Sequence, residues 1–289
     1  MSRSAAMVRD ITPREYAGFQ RLVADASGIA LTESKRQLLV GRVVRVIRER
    51  GLGSFGAYLE AIHADRTGAE LVRLLDLVST NETSFFRERG HYEYLTETCY
   101  PAWREAARLG TRSRQIRVWS AACSTGEEPY SIAMTLLEHF PSGDGWSVEL
   151  LASDLSTRAL HVAARGEYDA GRASDIPAAY LRRFMLRGVG EHEGRMRAVP
   201  ELRAPIRFTR INLNESLEDA AGQFDLVFCS NALIYFSRAG RAKVVERLAR
   251  KLAHGGRLFV GHAESLHDHR ASLRAVAPTV YALATDPTT

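Results

Sequence analysis

The chain has 289 residues, 45% hydrophobic and 25% charged, which excludes a disordered or fibrous protein and leaves room for two packed cores. No apolar run reaches the roughly 20 residues of a membrane-spanning helix, and Met1–Met7 lacks the apolar stretch of a secretory leader; no membrane insertion and a cytoplasmic location are expected. The net charge of +5 rests almost wholly on arginine, since Lys35, Lys243 and Lys251 are the only lysines, and its sign suits nucleic acid or an acidic protein partner equally.

Residues from about 10 to 78 read as helices alone. Thr12-Pro13-Arg14-Glu15 offers an N-cap, a proline in the first turn and an acid at the third position, the signature of a helix start. A second helix opens at Thr32 and runs to about Arg50, where Gly51 and Gly53 end it. Leu39, Val40, Val43, Val44, Val46 and Ile47 share one side of it, while Lys35, Arg42, Arg45 and Arg48 gather on the other. That basic side is either a solvated face or a docking surface for an acidic helix. Two further amphipathic segments, from Ser54 to His63 and from Ala69 to Val78, complete a small bundle.

From Arg117 strands alternate with helices. Strands are expected at Ile116–Ser120, Ser147–Ser153, Ile206–Ile211, Phe224–Cys229 and Gly256–Gly261. The intervening helices, Pro129–His139, Ser156–Arg165 and Arg238–Leu252, imply right-handed crossovers and a mainly parallel sheet. Pro278–Thr285 reads as a closing antiparallel strand at the end of the sheet. Between about Arg187 and Ala204, Gly188-Val189-Gly190 and His192-Glu193-Gly194 are turn signals in short alternating runs, so a small antiparallel insertion is expected there.

The richest stretch is Val118-Trp-Ser-Ala-Ala-Cys-Ser-Thr-Gly-Glu-Glu-Pro-Tyr-Ser-Ile132. It is a strand, a turn of small residues that lets a ligand approach the backbone, and a helix with a proline in its first turn. The crevice beyond such a strand is where nucleotide-like ligands sit in open α/β sheets. Glu127 and Glu128 at that rim disfavour a bare phosphate. They fit a ligand that offers hydroxyls, an amino group and a positive charge, as S-adenosylmethionine does. Asp154, at the end of the next strand, is either a ribose-binding acid or a helix cap, and the small-residue turn favours the ribose role. Asn231 and Tyr235 follow the Phe224–Cys229 strand toward the same crevice; Asn231 either caps the next element or faces a ligand, and Tyr235 either packs or points its hydroxyl at a substrate. Arg87, in the irregular Asn81-Glu-Thr-Ser-Phe-Phe-Arg87, is either an inter-domain ion pair or a bidentate carboxylate clamp. Cys99, Cys123 and Cys229 match no metal-ligand spacing, so reduced thiols and no metal are expected. Dinucleotide, P-loop and hydrolase-elbow motifs are all absent from the sequence.

Six separated motifs in order resemble the CheR family of chemotaxis receptor methyltransferases over nearly the whole chain. They are Asn81–Glu88, Trp119–Ser131, Ala152-Ser-Asp154, Gly166-Glu-Tyr168 with Asn212-Leu213, Phe224–Phe236, and Gly261-His-Ala-Glu-Ser265. The resemblance implies an all-α N-terminal domain (1–80), a linker and connecting helix (81–115), and a Rossmann-like methyltransferase domain (116–289). An antiparallel β-subdomain is inserted in the last at about 186–204. It implies methyl transfer from S-adenosylmethionine to glutamates on the helical cytoplasmic region of chemoreceptors, with S-adenosylhomocysteine as product. Carried over by position, Asn81, Thr83, Arg87, Glu127, Glu128, Asp154, Asn212, Leu213, Ser230 and Asn231 would line the cofactor site. Arg87 and Tyr235 would stand nearest the transferred methyl group. Ser230 departs from the family, which commonly carries arginine there, so a backbone contact is what carries over. Against glutamate-rich receptor helices the basic face at Arg42, Arg45 and Arg48 becomes a docking surface. Gly188 and Gly190 mark a subdomain turn beside which a receptor C-terminal peptide would add as a strand. A monomer that binds no nucleic acid is expected.

Overall fold

The structure, a computed structural model, describes residues 9–266, 268 and 271–287; the leader reading at Met1–Met7 lies outside the described residues.

Among the described residues the N-terminal unit has four α-helices: α1 (Pro13–Ser27), α2 (Arg36–Glu49), α3 (Phe55–Ala64) and α4 (Ala69–Val78). The expected capping box closes α1: the Thr12 side chain accepts from the Glu15 N–H at 3.2 Å and the Glu15 carboxylate accepts from the Thr12 N–H at 2.9 Å. Phe19, Leu39, Val43, Ile47, Phe55 and Tyr58 fill the core between the helices, following the 3.6-residue spacing of the apolar positions. Two short helices, α5 (Arg89–Tyr94) and α6 (Tyr100–Arg108), joined by a π-helical turn at Leu95–Cys99, lead into the sheet.

The C-terminal unit is built from β1 (Gln115–Ala121), α7 (Glu127–His139), β2 (Ser147–Asp154), α8 (Thr157–Arg165), β3 (Glu167–Asp169), α9 (Ala178–Phe184), β4 (Met185–Arg187), β5 (Arg195–Ala198), α10 (Pro200–Arg203), β6 (Ile206–Arg210), β7 (Phe224–Cys229), α11 (Arg238–Arg250), β8 (Leu252–Val260), β9 (Leu273–Ala277) and β10 (Val280–Leu283). Seven strands form one sheet in the order β6-β2-β1-β7-β8-β10-β9. The first five are parallel; β10 runs antiparallel to both of its neighbours. Alternate side chains of each central strand enter opposite layers: Val118, Leu226 and Phe228 pack with Ile132 and Leu136 of α7, while Trp119, Val227 and Cys229 pack with Val244 and Leu248 of α11. Both faces are covered, as a parallel sheet requires.

Two expectations are corrected. The closing strand is antiparallel but lies inside the edge, because β9, absent from the sequence reading, pairs outside it. The inserted sheet, ordered β3-β5-β4, begins at Glu167 rather than near 186. Its first strand is three residues long, too short to leave a periodic signal, and pairs with a distant segment (Glu167 with Arg197).

Candidate active site

Beyond the carboxyl ends of β1, β2 and β7 lies a cleft enclosing about 1130 Å³, its mouth included. The sheet dictates this place: the strand order reverses between β1 and β7, which opens a crevice at the switch point. The turn after β1 holds Ala122 and Ser124 at φ of 66° and 51°, and Asn231 after β7 sits at 61°. Such left-handed residues are strained, and three of them on one cleft are characteristic of a functional site. Gly126 (φ 101°) opens α7, and a Cβ there would stand 2.7 Å from the Tyr168 hydroxyl and 2.8 Å from Ala163 Cβ. Only glycine lets the turn approach α8 so closely.

Asp154 ends β2 and is nearly buried. Its carboxylate accepts from the Ser124 N–H and the Ser156 N–H, each at 2.8 Å, and still faces the cleft. Burial raises its pKa while those N–H groups oppose the shift. Glu128, on the first turn of α7, accepts from the Ser120 hydroxyl at 2.7 Å. Burial pushes it to about 7, with the Glu264 and Glu88 carboxylates adding to the rise. Both acids are poised to be held ionised by a cation.

Asn81, Thr83 and Arg87 reach the cleft on the irregular segment between the two units. Arg87 is exposed and spends one Nη1 hydrogen on the Glu82 carbonyl at 2.9 Å. The next residue, Glu88, is fixed by His262 at the end of β8. Leu213, Ser230, Asn231 and Tyr235 also line the cleft. Ser124 Oγ and Asn231 Oδ1 are buried with no hydrogen-bond partner among the described residues, which leaves them to a ligand. Hydroxyl and amide groups with two carboxylates suit the ribose, amino group and sulfonium of S-adenosylmethionine, so the cleft fits that cofactor.

Two of the expected residues stand differently. Glu127, although adjacent to Glu128, does not line the cleft: a helix turns 100° per residue, and its carboxylate is buried against Arg172 (2.8 Å) and Thr125 (2.6 Å). Asn212 lines the cleft, but its side-chain amide donates to Ala26 O at 2.6 Å and Glu215 Oε1 at 2.8 Å, and its Oδ1 accepts from the Asn214 N–H. No hydrogen of that amide remains for a cofactor.

The helical unit supplies a wall that sequence reasoning missed: Ser27, Ile29 and Lys35 line the cleft. Ala30 N donates to Tyr235 O at 2.8 Å, and the Lys35 ammonium lies 4.4 Å from the Tyr235 ring centroid. Burial lowers the Lys35 pKa. Its helical spacing placed Lys35 with the basic face, and no local signal tells a lysine at a helix start from one in a crevice.

Of that basic face, Arg45 and Arg48 are exposed, Arg45 pairing with Glu49 at 2.8 Å. Arg42 is half-buried and turned inward, donating to Leu77 O at 2.5 Å and Ser79 O at 2.9 Å at the end of α4. Gly188 and Gly190 build the turn after β4: a Cβ at 188 would collide with the His192 carbonyl, and Gly190 has φ 60°. The surface at that turn is offered by Leu186 and Val189, 53% and 77% exposed. No group of acids, histidines and cysteines suited to a metal occurs among the described residues.

Strand order, switch-point cleft and the acid ending β2 together define an S-adenosylmethionine-dependent methyltransferase. Residues 81–282 match the family model described as CheR methyltransferase, SAM binding domain, and residues 14–79 that described as CheR methyltransferase, all-alpha domain. The chain belongs to the CheR methyltransferase family. It is 41% identical over 255 residues to chemotaxis protein methyltransferase 2 of Pseudomonas aeruginosa, covering 88% of each chain. It is also 37% identical to the chemotaxis protein methyltransferase of Salmonella typhimurium, covering 92% of this chain and 88% of that one. To the Escherichia coli protein of the same name it is 36% identical, covering 96% and 93%.

Proposed function

We propose that this protein transfers the methyl group of S-adenosylmethionine to glutamate side chains on the helical cytoplasmic region of chemoreceptors, giving γ-glutamyl methyl esters. The observation that carries the reading is the pairing, in one cleft, of deep carboxylates (Asp154, Glu128) with cationic and phenolic groups (Arg87, Lys35, Tyr235). When bound, the cofactor supplies an electrophilic methyl group on a sulfonium that is also a good leaving group.

A glutamate with pKa about 4.3 is already ionised near neutral pH, so no general base is required of the chain. Its task is alignment. Arg87 keeps donors free beyond its bond to Glu82, and a guanidinium fits a carboxylate bidentately. Tyr235, held between its backbone bond to Ala30 and the Lys35 ammonium, offers its hydroxyl to the same carboxylate. Asp154 holds ribose hydroxyls and Glu128 takes the positively charged part of the cofactor. Asn81, Thr83, Leu213, Ser230 and Asn231 complete that wall. Asn212 acts from behind through the helical domain.

Exposed Arg45 and Arg48 suit the acidic methylation helices of a receptor. A receptor C-terminal peptide would add as a strand to β4, which among the described residues pairs on one side only and carries exposed Leu186, with Val189 just beyond it. Residues 1–80, 81–115 and 116–289 serve as docking domain, connector and catalytic domain of a cytoplasmic monomer; no described helix is long and apolar enough to cross a membrane. The test incubates the protein with methyl-labelled S-adenosylmethionine and receptor-containing membranes. Label that enters receptor and leaves under base as methanol supports a carboxyl methyl ester. Cofactor binding without transfer would refute the reading.

A further inference from the structure

In the motif Gly261-His262-Ala263-Glu264-Ser265, His262 holds Glu88 at the cleft, whereas Glu264 lies behind the cleft wall, fully buried. Its Oε2 accepts from the Asn231 N–H and the Gly261 N–H, each at 2.7 Å, and its Oε1 accepts from the Ile234 N–H at 3.2 Å. A single side chain thus ties the end of β7 to the end of β8 and to the short turn Leu233–Tyr235. The turn presents unpaired N–H groups at its start, where an anion is favoured, and bonds from N–H to an ionised carboxylate are stronger than neutral ones.

The tied segment needs the restraint. Asn231 is held at φ 61°, a left-handed conformation that its surroundings help to impose. Gly261 makes room: a Cβ there would collide with the Asn231 side-chain amide and stand 2.9 Å from its backbone nitrogen. Four residues on, Tyr235 reaches the cleft mouth on the same short segment.

From this geometry we infer that Glu264 is a positioning residue for methyl transfer: its carboxylate fixes Asn231 and, through the Ile234 N–H, the placement of the Tyr235 hydroxyl. The inference rests on the proposed role of Tyr235 in the reaction. It accounts for a buried acid placed where no ligand can touch it, since an anion is the one group that accepts three backbone N–H donors at once without donating in return.

The test uses the full-length protein with Glu264→Gln, which keeps the shape but turns an amide donor toward one set of N–H groups. We expect kcat for receptor methylation to fall at least tenfold with receptor KM changed less than threefold. Amide exchange in residues 230–236 should accelerate at least tenfold, with β1 and α7 unaffected. Wild-type kcat, or a loss of kcat accompanied by faster exchange throughout the sheet, would overturn the inference. Should E264Q not fold, Glu264→Asp carries the test: the anion is kept, its reach is one methylene shorter, and a loss of kcat of about three- to tenfold is expected, unchanged turnover counting against it. Were wild-type protein itself to methylate no receptor, the proposed function would fail, while the exchange pattern would still decide whether Glu264 holds this segment.

Discussion

The side-chain amide of Asn212, at the rim of the cofactor cleft, donates at 2.6 Å to the backbone oxygen of Ala26 in the last turn of α1. A loop of the methyltransferase sheet and a helix of the N-terminal bundle are thereby one wall. Replacing Asn212 with Asp turns a donor into an acceptor facing a carbonyl. We expect a loss of about 1–3 kcal/mol in stability, the cost of leaving buried partners unpaired, and about tenfold weaker binding of S-adenosylmethionine because Ser27, Ile29 and Lys35 lose their seat. Calorimetric unfolding and titration measure both; wild-type affinity in N212D would mean the two units dock without this bond.

Arg87 tests the substrate clamp. It is exposed and its only hydrogen bond among the described residues is to Glu82, so Arg87→Ala should leave stability within about 0.5 kcal/mol. Turnover should fall a hundredfold or more. Arg87→Lys should recover little, since an ammonium cannot reproduce bidentate geometry. Steady-state kinetics on a receptor fragment decide this.

Glu128 makes cofactor binding pH-dependent. Its carboxyl stands at about 7 in the folded chain, above the usual range. A cation held beside it favours the ionised form, so binding should release a proton. Affinity for S-adenosylmethionine should therefore rise with pH through about 7 and level off above it. The same raised value means the ligand-free fold gains stability from the neutral carboxyl at low pH and loses it as pH rises from about 4.5 to 7. Titration calorimetry in buffers of different ionisation enthalpy counts the proton, and E128Q should abolish the release.

At the other end of the chain Glu15 gives the opposite sign. Arg9 and the N–H groups of Thr12 and Gly56 hold its carboxyl at about 2. The contribution is full above the ordinary carboxylate range and fades as pH falls from about 4.5 to 2. Glu15→Gln should destabilise the protein by about 1–2 kcal/mol at pH 7, the scale of a lost helix cap. At pH 2 it should be nearly silent, and urea unfolding at the two pH values checks it.

Much of this was legible in the chain. The capping box at Thr12 and Glu15, the turn Ala121–Gly126, and Asp154 at a strand end are local patterns, each written in a few adjacent residues that determine their own geometry. Glu127 and Glu128 were not separable by such means. Both open α7, and only the fold shows that Glu127 turns to Arg172, forty-five residues away in the inserted subdomain, while Glu128 faces the crevice. Arg42 and Arg45 likewise share a helix side in sequence, yet Arg42 is taken up by the end of α4.

By itself the sequence determined the two-part organisation, the parallel sheet and the acids that suit a cationic nucleoside, because hydrophobic period and strand-end chemistry act over short spans. Only the tertiary structure placed the helical bundle along the cleft, bonded Asn212 to Ala26, and set Glu264 against the turn beneath Tyr235. Those placements arise from contacts between residues as far apart as Ala26 and Asn212 or Ala30 and Tyr235. A side chain's bond partners at such a distance are chosen by packing, and no local pattern encodes them.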